Sequence, residues 1–190
     1  MKKVHSIDEL FQLFADFGHK SYGEDVTSLM HSLQCAQLAA NDGASDELIA
    51  AALLHDVGHL LADVQTGERA DLEEDDDVHE AIGAQIVSPL FGPAVAQPIA
   101  LHVTAKRWRC TVSPAYHDAL SDTSRATLKA QGGLLTAEEC ERFEKHPGHA
   151  AALRVRDWDD LGKDPAMATA TLESYRPLLE RLAENFAASR

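Results

Sequence analysis

Apolar residues recur every three or four positions along almost the whole chain, the period of helices that bury one face. Leu10, Phe11, Leu13, Phe14 and Phe17 form the first stripe; Ser6 with Glu9 is a capping-box pair ahead of it, and Gly18 closes it. Leu29, Leu33, Ala36 and Leu38 predict a second helix over about 26–40, ended by Asn41-Asp42-Gly43. Ser45 or Asp46 opens a third over about 47–61, so rich in Ala and Leu that it is expected at the centre. The acidic stretch 63–77 predicts a loop, with 71–77 a solvated charge run, and Asp77 with Glu80 caps a helix over about 78–90. Pro93 opens another to about 103, 108–114 is expected to be irregular, and 121–130 is helical up to Gly132-Gly133. Thr136 with Glu139 caps a helix to about 145, Pro147 opens one through 160, and 169–188 is a last amphipathic helix interrupted near Pro177. Val and Ile nowhere alternate long enough to predict a strand. With no internal repeat and no linker rich in Pro or Ser, the expectation is one all-α domain over 1–190.

Composition narrows the function classes. Of 190 residues, 45% are apolar and 25% charged, ordinary globular values that exclude collagen-like and disordered chains. The formal net charge of −14 argues against a nucleic-acid partner, because phosphate backbones need a basic surface. It leaves room for a small anionic substrate, since a few local cations override a global sign. Cys35, Cys110 and Cys140 include no CxxC pair, so neither a disulfide framework nor a zinc ribbon is expected. Met1-Lys2-Lys3-Val4-His5 leads into an amphipathic segment without a signal-peptide core, and the apolar stretch 48–54 is too short to span a bilayer. No membrane partner and a cytoplasmic location are expected.

The chemistry lies in six polar residues set among apolar ones. His55-Asp56 falls near the end of the most apolar helix, where an imidazole and a carboxylate are costly unless paired or bound to a metal. The two oxygens of Asp56 can serve two ions, and His59 lies four residues beyond His55, on the same face of a continuous helix. His31 sits among Leu29, Leu33 and Cys35, His79 beside Glu80 at a helix start, His102 after Ile99-Ala100-Leu101, and Asp159 in Asp157-Trp158-Asp159-Asp160. Singly, each is more often a surface or satisfied core residue. Jointly, four imidazoles and two carboxylates on separate helices are the ligand types for two first-row metal ions, and the lack of thiolates disfavours structural zinc.

The order His31…His55-Asp56…Asp159 resembles the pattern of the HD-domain superfamily, and His79 and His102 resemble the extra ligands of its two-metal members. The surrounding text over 22–34, 52–61, 101–107 and 128–133 is similar to the phosphonate-degrading HD oxygenases, a likeness that covers about 21–163. The resemblance implies an HD-type helical bundle with its metal-binding core in that range. It implies two iron ions in a mixed-valence Fe(II)/Fe(III) state: one held by His31, His55, Asp56 and Asp159, the other by His79 and His102, with Asp56 bridging. It implies an O2-dependent reaction that breaks the carbon–phosphorus bond of a 1-hydroxyphosphonate, releasing phosphate and a carboxylic acid. Lys106, Ser124 and Arg156 match the family's phosphonate-binding residues, and His59 its neighbouring histidine. Lys106 lies four residues after His102 and Arg156 three before Asp159, so each shares a helical face with a ligand. Ser121 competes with Ser124 as a helix cap.

Glu24, seven residues before His31, matches the family's substrate-side Glu, suited to an ammonium group. The family's iron-capping Tyr stands three residues before that Glu; here Ser21 occupies the place and Tyr22 is one residue closer. Either Tyr22 reaches the metal through a shifted loop or the cap is missing. The expected substrate is 1-hydroxy-2-(trimethylamino)ethylphosphonate, giving glycine betaine and phosphate, with the displaced Tyr and the nearby aromatic rings of Tyr22 and Trp158 favouring the quaternary amine. The free-amine analogue, giving glycine, is its competitor. A metal-dependent HD phosphohydrolase, in which two metals activate water, is the alternative from another class. A noncatalytic acidic helical scaffold is the third.

Overall fold

The computed structural model describes residues 4–23, 25–66 and 78–190. Its first helix, α1 (Ile7–Phe17), starts where the Ser6 side chain accepts from the Glu9 backbone N–H. A short antiparallel hairpin follows, β1 (Ser21–Gly23) with β2 (Val26–Thr27), turning through Asp25 at a φ of 62°. No strand is expected from the sequence because two or three residues are too few to show an alternating pattern. Thr27 caps α2 (Ser28–Asn41), and Ser45 caps α3 (Asp46–Leu54).

The expected continuous third helix is broken at His55-Asp56. The chain turns there, with the His59 N–H donating to the Asp56 carbonyl, and resumes as α4 (Val57–Thr66). The break corrects the idea that His55 and His59 share one helical face, and helix rather than loop runs to Thr66. The acidic run 71–77, with its Asp77 cap, lies outside the described residues. Next come α5 (His79–Phe91) and α6 (Pro93–Val112). The supposedly irregular stretch from Trp108 is helical up to Val112. Its polar residues hide the apolar period because each is tied to a neighbour: Arg107 to the Gly132 and Gly133 carbonyls, Trp108 to Glu144, Arg109 to Asp157.

The remainder is α7 (Pro114–Asp118), α8 (Asp122–Ala130), α9 (Ala137–Glu144), α10 (His149–Leu161), a 3-10 turn over Leu172–Tyr175 and α11 (Arg176–Ala188). Thr136 and Glu139 form the full capping box of α9. Pro177 begins α11 instead of interrupting it, since a first-turn residue needs no N–H for the helix.

The core explains where the site falls. Helix α6 packs along α5, α10 and α3, while α2 packs on α3 and α10. Leu53, Leu54, Ile99, Val155 and Trp158 are all but sealed from solvent. Each such side chain contributes about 1.5–3 kcal/mol of burial. The polar residues at the inner ends of these helices are therefore fixed inside an apolar frame.

Candidate metal centre

Six side chains from α2, the α3–α4 break, α5, α6 and α10 converge in that frame. His31, His55, His79, His102, Asp56 and Asp159 are all buried. Nε2 of His31 lies 3.1 Å from Nε2 of His55, 3.4 Å from Asp159 Oδ1 and 3.6 Å from Asp56 Oδ2. His55 Nε2 lies 3.3 Å from the same Asp56 oxygen. On the other side of Asp56, Oδ1 is 3.4 Å from His79 Nε2 and 3.6 Å from His102 Nε2, and those two nitrogens are 3.1 Å apart. Donors bound at about 2.1 Å to one ion stand about 3.0–3.4 Å from each other, close to these spacings.

The outer ring nitrogens settle which atoms face inward. His31 Nδ1 donates to the Gly162 carbonyl at 2.8 Å, His55 Nδ1 to Ala52 at 2.9 Å, and His102 Nδ1 to Ile99 at 2.8 Å. In the neutral rings Nε2 is then a lone-pair acceptor. Two such acceptors facing each other across 3.1 Å repel unless a positive charge lies between them. Asp56 Oδ2, although buried, makes no hydrogen bond among the described residues. These facts fit a metal ion in each nest.

The electrostatics favour ionised carboxylates in both nests. Burial opposes charge on Asp56, but His55 and His79 outweigh it and hold the carboxyl well below the usual range. Burial likewise opposes charge on Asp159, where Arg156 prevails. His102 is pushed down to about 3 by burial and then by its histidine neighbours, so it presents a neutral ring, the form that binds metals. Cys35 Sγ stands 3.7 Å from His31 Nε2, but it donates to the Trp158 carbonyl and burial keeps the thiol protonated. The nests are therefore imidazole and carboxylate.

The chain matches the HD domain over residues 28–161. It is 42% identical to a hydroxymethylphosphonate dioxygenase of Gimesia maris, over 94% of this chain and 89% of that protein. It is 36% identical to a [1-hydroxy-2-(trimethylamino)ethyl]phosphonate dioxygenase (glycine-betaine-forming) of Leisingera caerulea, over 90% and 87%. An uncharacterised protein of Acanthamoeba polyphaga mimivirus is 32% identical over 96% and 84%. This chain belongs to the HD-domain phosphonate dioxygenases. The HD fold thus accounts for the helical frame, and the family implies a metal cofactor for the nests within it.

Around the HD centre the other expected site residues fall in three groups. Tyr22 and His59 cover the two nests: the Tyr22 ring stacks on His31 at 3.9 Å and the His59 ring on His79 at 3.8 Å. Burial, with Asp56 and Asp159 adding, keeps the Tyr22 hydroxyl protonated. Lys106 and Ser124 form a second group. Lys106 is buried, its ammonium donating to Thr127 Oγ1 at 2.6 Å and Gln131 Oε1 at 3.2 Å. Ser121 is the cap of α8, which leaves the buried Ser124 hydroxyl to accept from Lys163 at 3.3 Å. Third, Arg156 is buried, with Nη1 on Asp159 Oδ2 at 2.6 Å and Nη2 on Asp160 Oδ1. Glu24 lies outside the described residues.

Trp158 is not placed to cage a quaternary amine. Its ring is buried, Nε1 donates to Asp42 Oδ2 at 2.7 Å and Arg154 covers its face. Thr127, Gln131, Tyr116, Asp160 and Lys163 are the neighbours that sequence reasoning missed. Lone polar residues on amphipathic helices carry no signal of which tertiary partner they meet. Among the described residues no helix is long and apolar enough to cross a membrane.

Proposed function

We propose that this HD-domain oxygenase uses two iron ions and O2 to cleave the carbon–phosphorus bond of hydroxymethylphosphonate, giving formate and phosphate. One O2 adds both its atoms: HOCH2–PO3H2 + O2 → HCOOH + H3PO4. The observation that carries the reading is the division of Asp56, one oxygen toward each histidine pair, in a chain with 42% identity to a protein of that named activity.

His31, His55, Asp56 and Asp159 would hold one ion and His79, His102 and Asp56 the other. An iron pair, when bound, supplies the activation of O2 and of the substrate's C1 hydroxyl. The chain's own residues do the rest. Lys106 and Ser124 seat the phosphonate through charge and a hydroxyl. Arg156 keeps Asp159 ionised and oriented. His59 offers a half-buried imidazole beside the second nest to hydrogen-bond the substrate. Tyr22 covers the His31 ring and keeps water from that face.

A trimethylammonium substrate is the second reading, supported by the 36% identical relative. The commitment of Trp158 to Asp42 and Arg154 weighs toward the smaller substrate.

The test is an oxygen electrode. Enzyme reconstituted with Fe(II) and ascorbate should consume O2 with hydroxymethylphosphonate and release formate and phosphate in equal amounts. Faster turnover of the trimethylated compound would select the second reading. Phosphate release without O2, or comparable hydrolysis of phosphate monoesters, would favour a phosphohydrolase and reject the proposal.

A further inference from the structure

Lys106 carries its charge on a long flexible stem, and such a group holds an anion well only when it is already fixed in place. Its ammonium donates to Thr127 Oγ1 and Gln131 Oε1, which belong to α8 and its C-terminal cap. An ammonium has three N–H groups, and those two are its hydrogen bonds among the described residues, so one N–H is left for an anion. Where α8 stands therefore sets where that N–H points.

Helix α8 contributes Leu128 to a small satellite cluster with Cys110 and Leu120, separate from the main core. Its C-terminal end is gripped from α6. Gln131 is followed there by Gly132 and Gly133, both left-handed with φ of 93° and 68°, and the chain turns back. Arg107, the residue after Lys106, donates from Nε to the Gly133 carbonyl at 2.8 Å and from Nη2 to the Gly132 carbonyl at 3.3 Å. One turn along α6, Thr111 Oγ1 accepts from the Leu135 N–H at 2.8 Å and donates to the Arg107 carbonyl at 2.8 Å. A Cβ on Gly132 would stand 3.2 Å from Arg107 Nη2 and crowd the guanidinium, so the fork needs a bare backbone to close on. A cation at the C-terminal end of a helix also meets the partial negative charge of its last carbonyls.

We propose that Arg107 is a positioning residue of the phosphonate seat: its fork on the Gly132 and Gly133 carbonyls fixes Gln131 and Thr127, which aim the Lys106 ammonium at the anion. This rests on the phosphonate reading above. Consecutive side chains on α6 point about 100° apart. Arg107 is half-buried, with its guanidinium committed to the two carbonyls, and it acts on the anion through Lys106.

Inorganic phosphate, the product that shares the head group, is the probe. Calorimetry on metal-loaded protein should show phosphate binding weakened on the order of tenfold in Arg107→Gln, about the size of a lost hydrogen bond to a charged group. The KM for hydroxymethylphosphonate should rise in step, with kcat and metal content little changed. Arg107→Lys, which can reach one carbonyl, should recover part of the affinity. In a Lys106→Met background Arg107→Gln should cost little more in phosphate affinity or KM, because the ammonium it aims is gone. Equal weakening in both backgrounds would give Arg107 its own pull on the anion and overturn the inference. So would unchanged phosphate affinity in a folded Arg107→Gln, or a wild type that does not bind phosphate. If Arg107→Gln does not fold, Arg107→Lys in the two backgrounds makes the same comparison. A wild type that binds phosphate through Lys106 and Arg107 together yet consumes no O2 with any hydroxyphosphonate upholds the anion seat and sinks the oxygenase reading instead.

Discussion

A Cβ on Gly58 would lie 2.0 Å from the carbonyl oxygen of His79. Helices α4 and α5 thus meet backbone to backbone where the second histidine pair begins. Gly58→Ala should push His79 away from Asp56 Oδ1 and spare the nest around His31 and His55. The expected product is a folded protein, by circular dichroism, that keeps one metal ion instead of two in elemental analysis. Two retained ions would show that α5 can shift without cost to the centre.

Asp56 faces both nests, so its removal should empty both. Asp56→Ala is expected to lose both ions, whereas His102→Ala should lose only the one it shares with His79. Metal counts after gel filtration separate the cases. Two ions held by Asp56→Ala would remove Asp56 as the bridge.

Lys106 predicts opposite pH responses for activity and stability. Its ammonium is lowered from 10.5 to about 8, first by burial and then by Arg156. The anion needs the protonated form, so kcat/KM should fall as pH rises through about 8, and Lys106→Arg should move that limb upward. The unfolded chain holds the proton to higher pH than the fold does. From about 8 to 10.5 the unfolded state therefore binds more protons, and this group makes unfolding harder as pH rises. A melting temperature that fell in proportion with activity would assign the loss to denaturation.

Asp160→Asn should loosen the Arg156 guanidinium that orients Asp159. Residues that support metal ligands typically tune affinity about 10–100-fold. Weaker iron binding is expected for Asp160→Asn in a chelator competition and near wild-type binding for Tyr116→Phe, because Asp160 still meets Arg156 when the Tyr116 hydroxyl is lost. An unaltered affinity in Asp160→Asn would leave Asp160 a purely structural partner.

The helices were legible in the sequence because their caps are local: Ser6, Ser45, Ser121 and Thr136 each bond a backbone N–H three residues on. The break at His55-Asp56 was not, since Ala and Leu run up to it and nothing local ends α3 there. The metal-ligating residue types stood out as polar groups in apolar surroundings. Their partition into two nests was not readable without the family, because it depends on which Asp56 oxygen meets which histidine. The tie of Asp160 to Tyr116 could not be read from sequence either, because it joins α10 to α7 across a distant stretch of chain.

His102 and Lys106 stand one turn apart on α6, a rise of about 6 Å along a rigid rod. On the proposed reading, that turn acts as a ruler set between the reacting centre and the anchoring charge. A compound carrying its hydroxyl one carbon farther from phosphorus would overreach the gauge and sit out of line. Variation in what these enzymes accept is therefore expected in the tail beyond the first carbon, shaped by loops around the rod, while the span between the hydroxyl-bearing carbon and phosphorus stays constant.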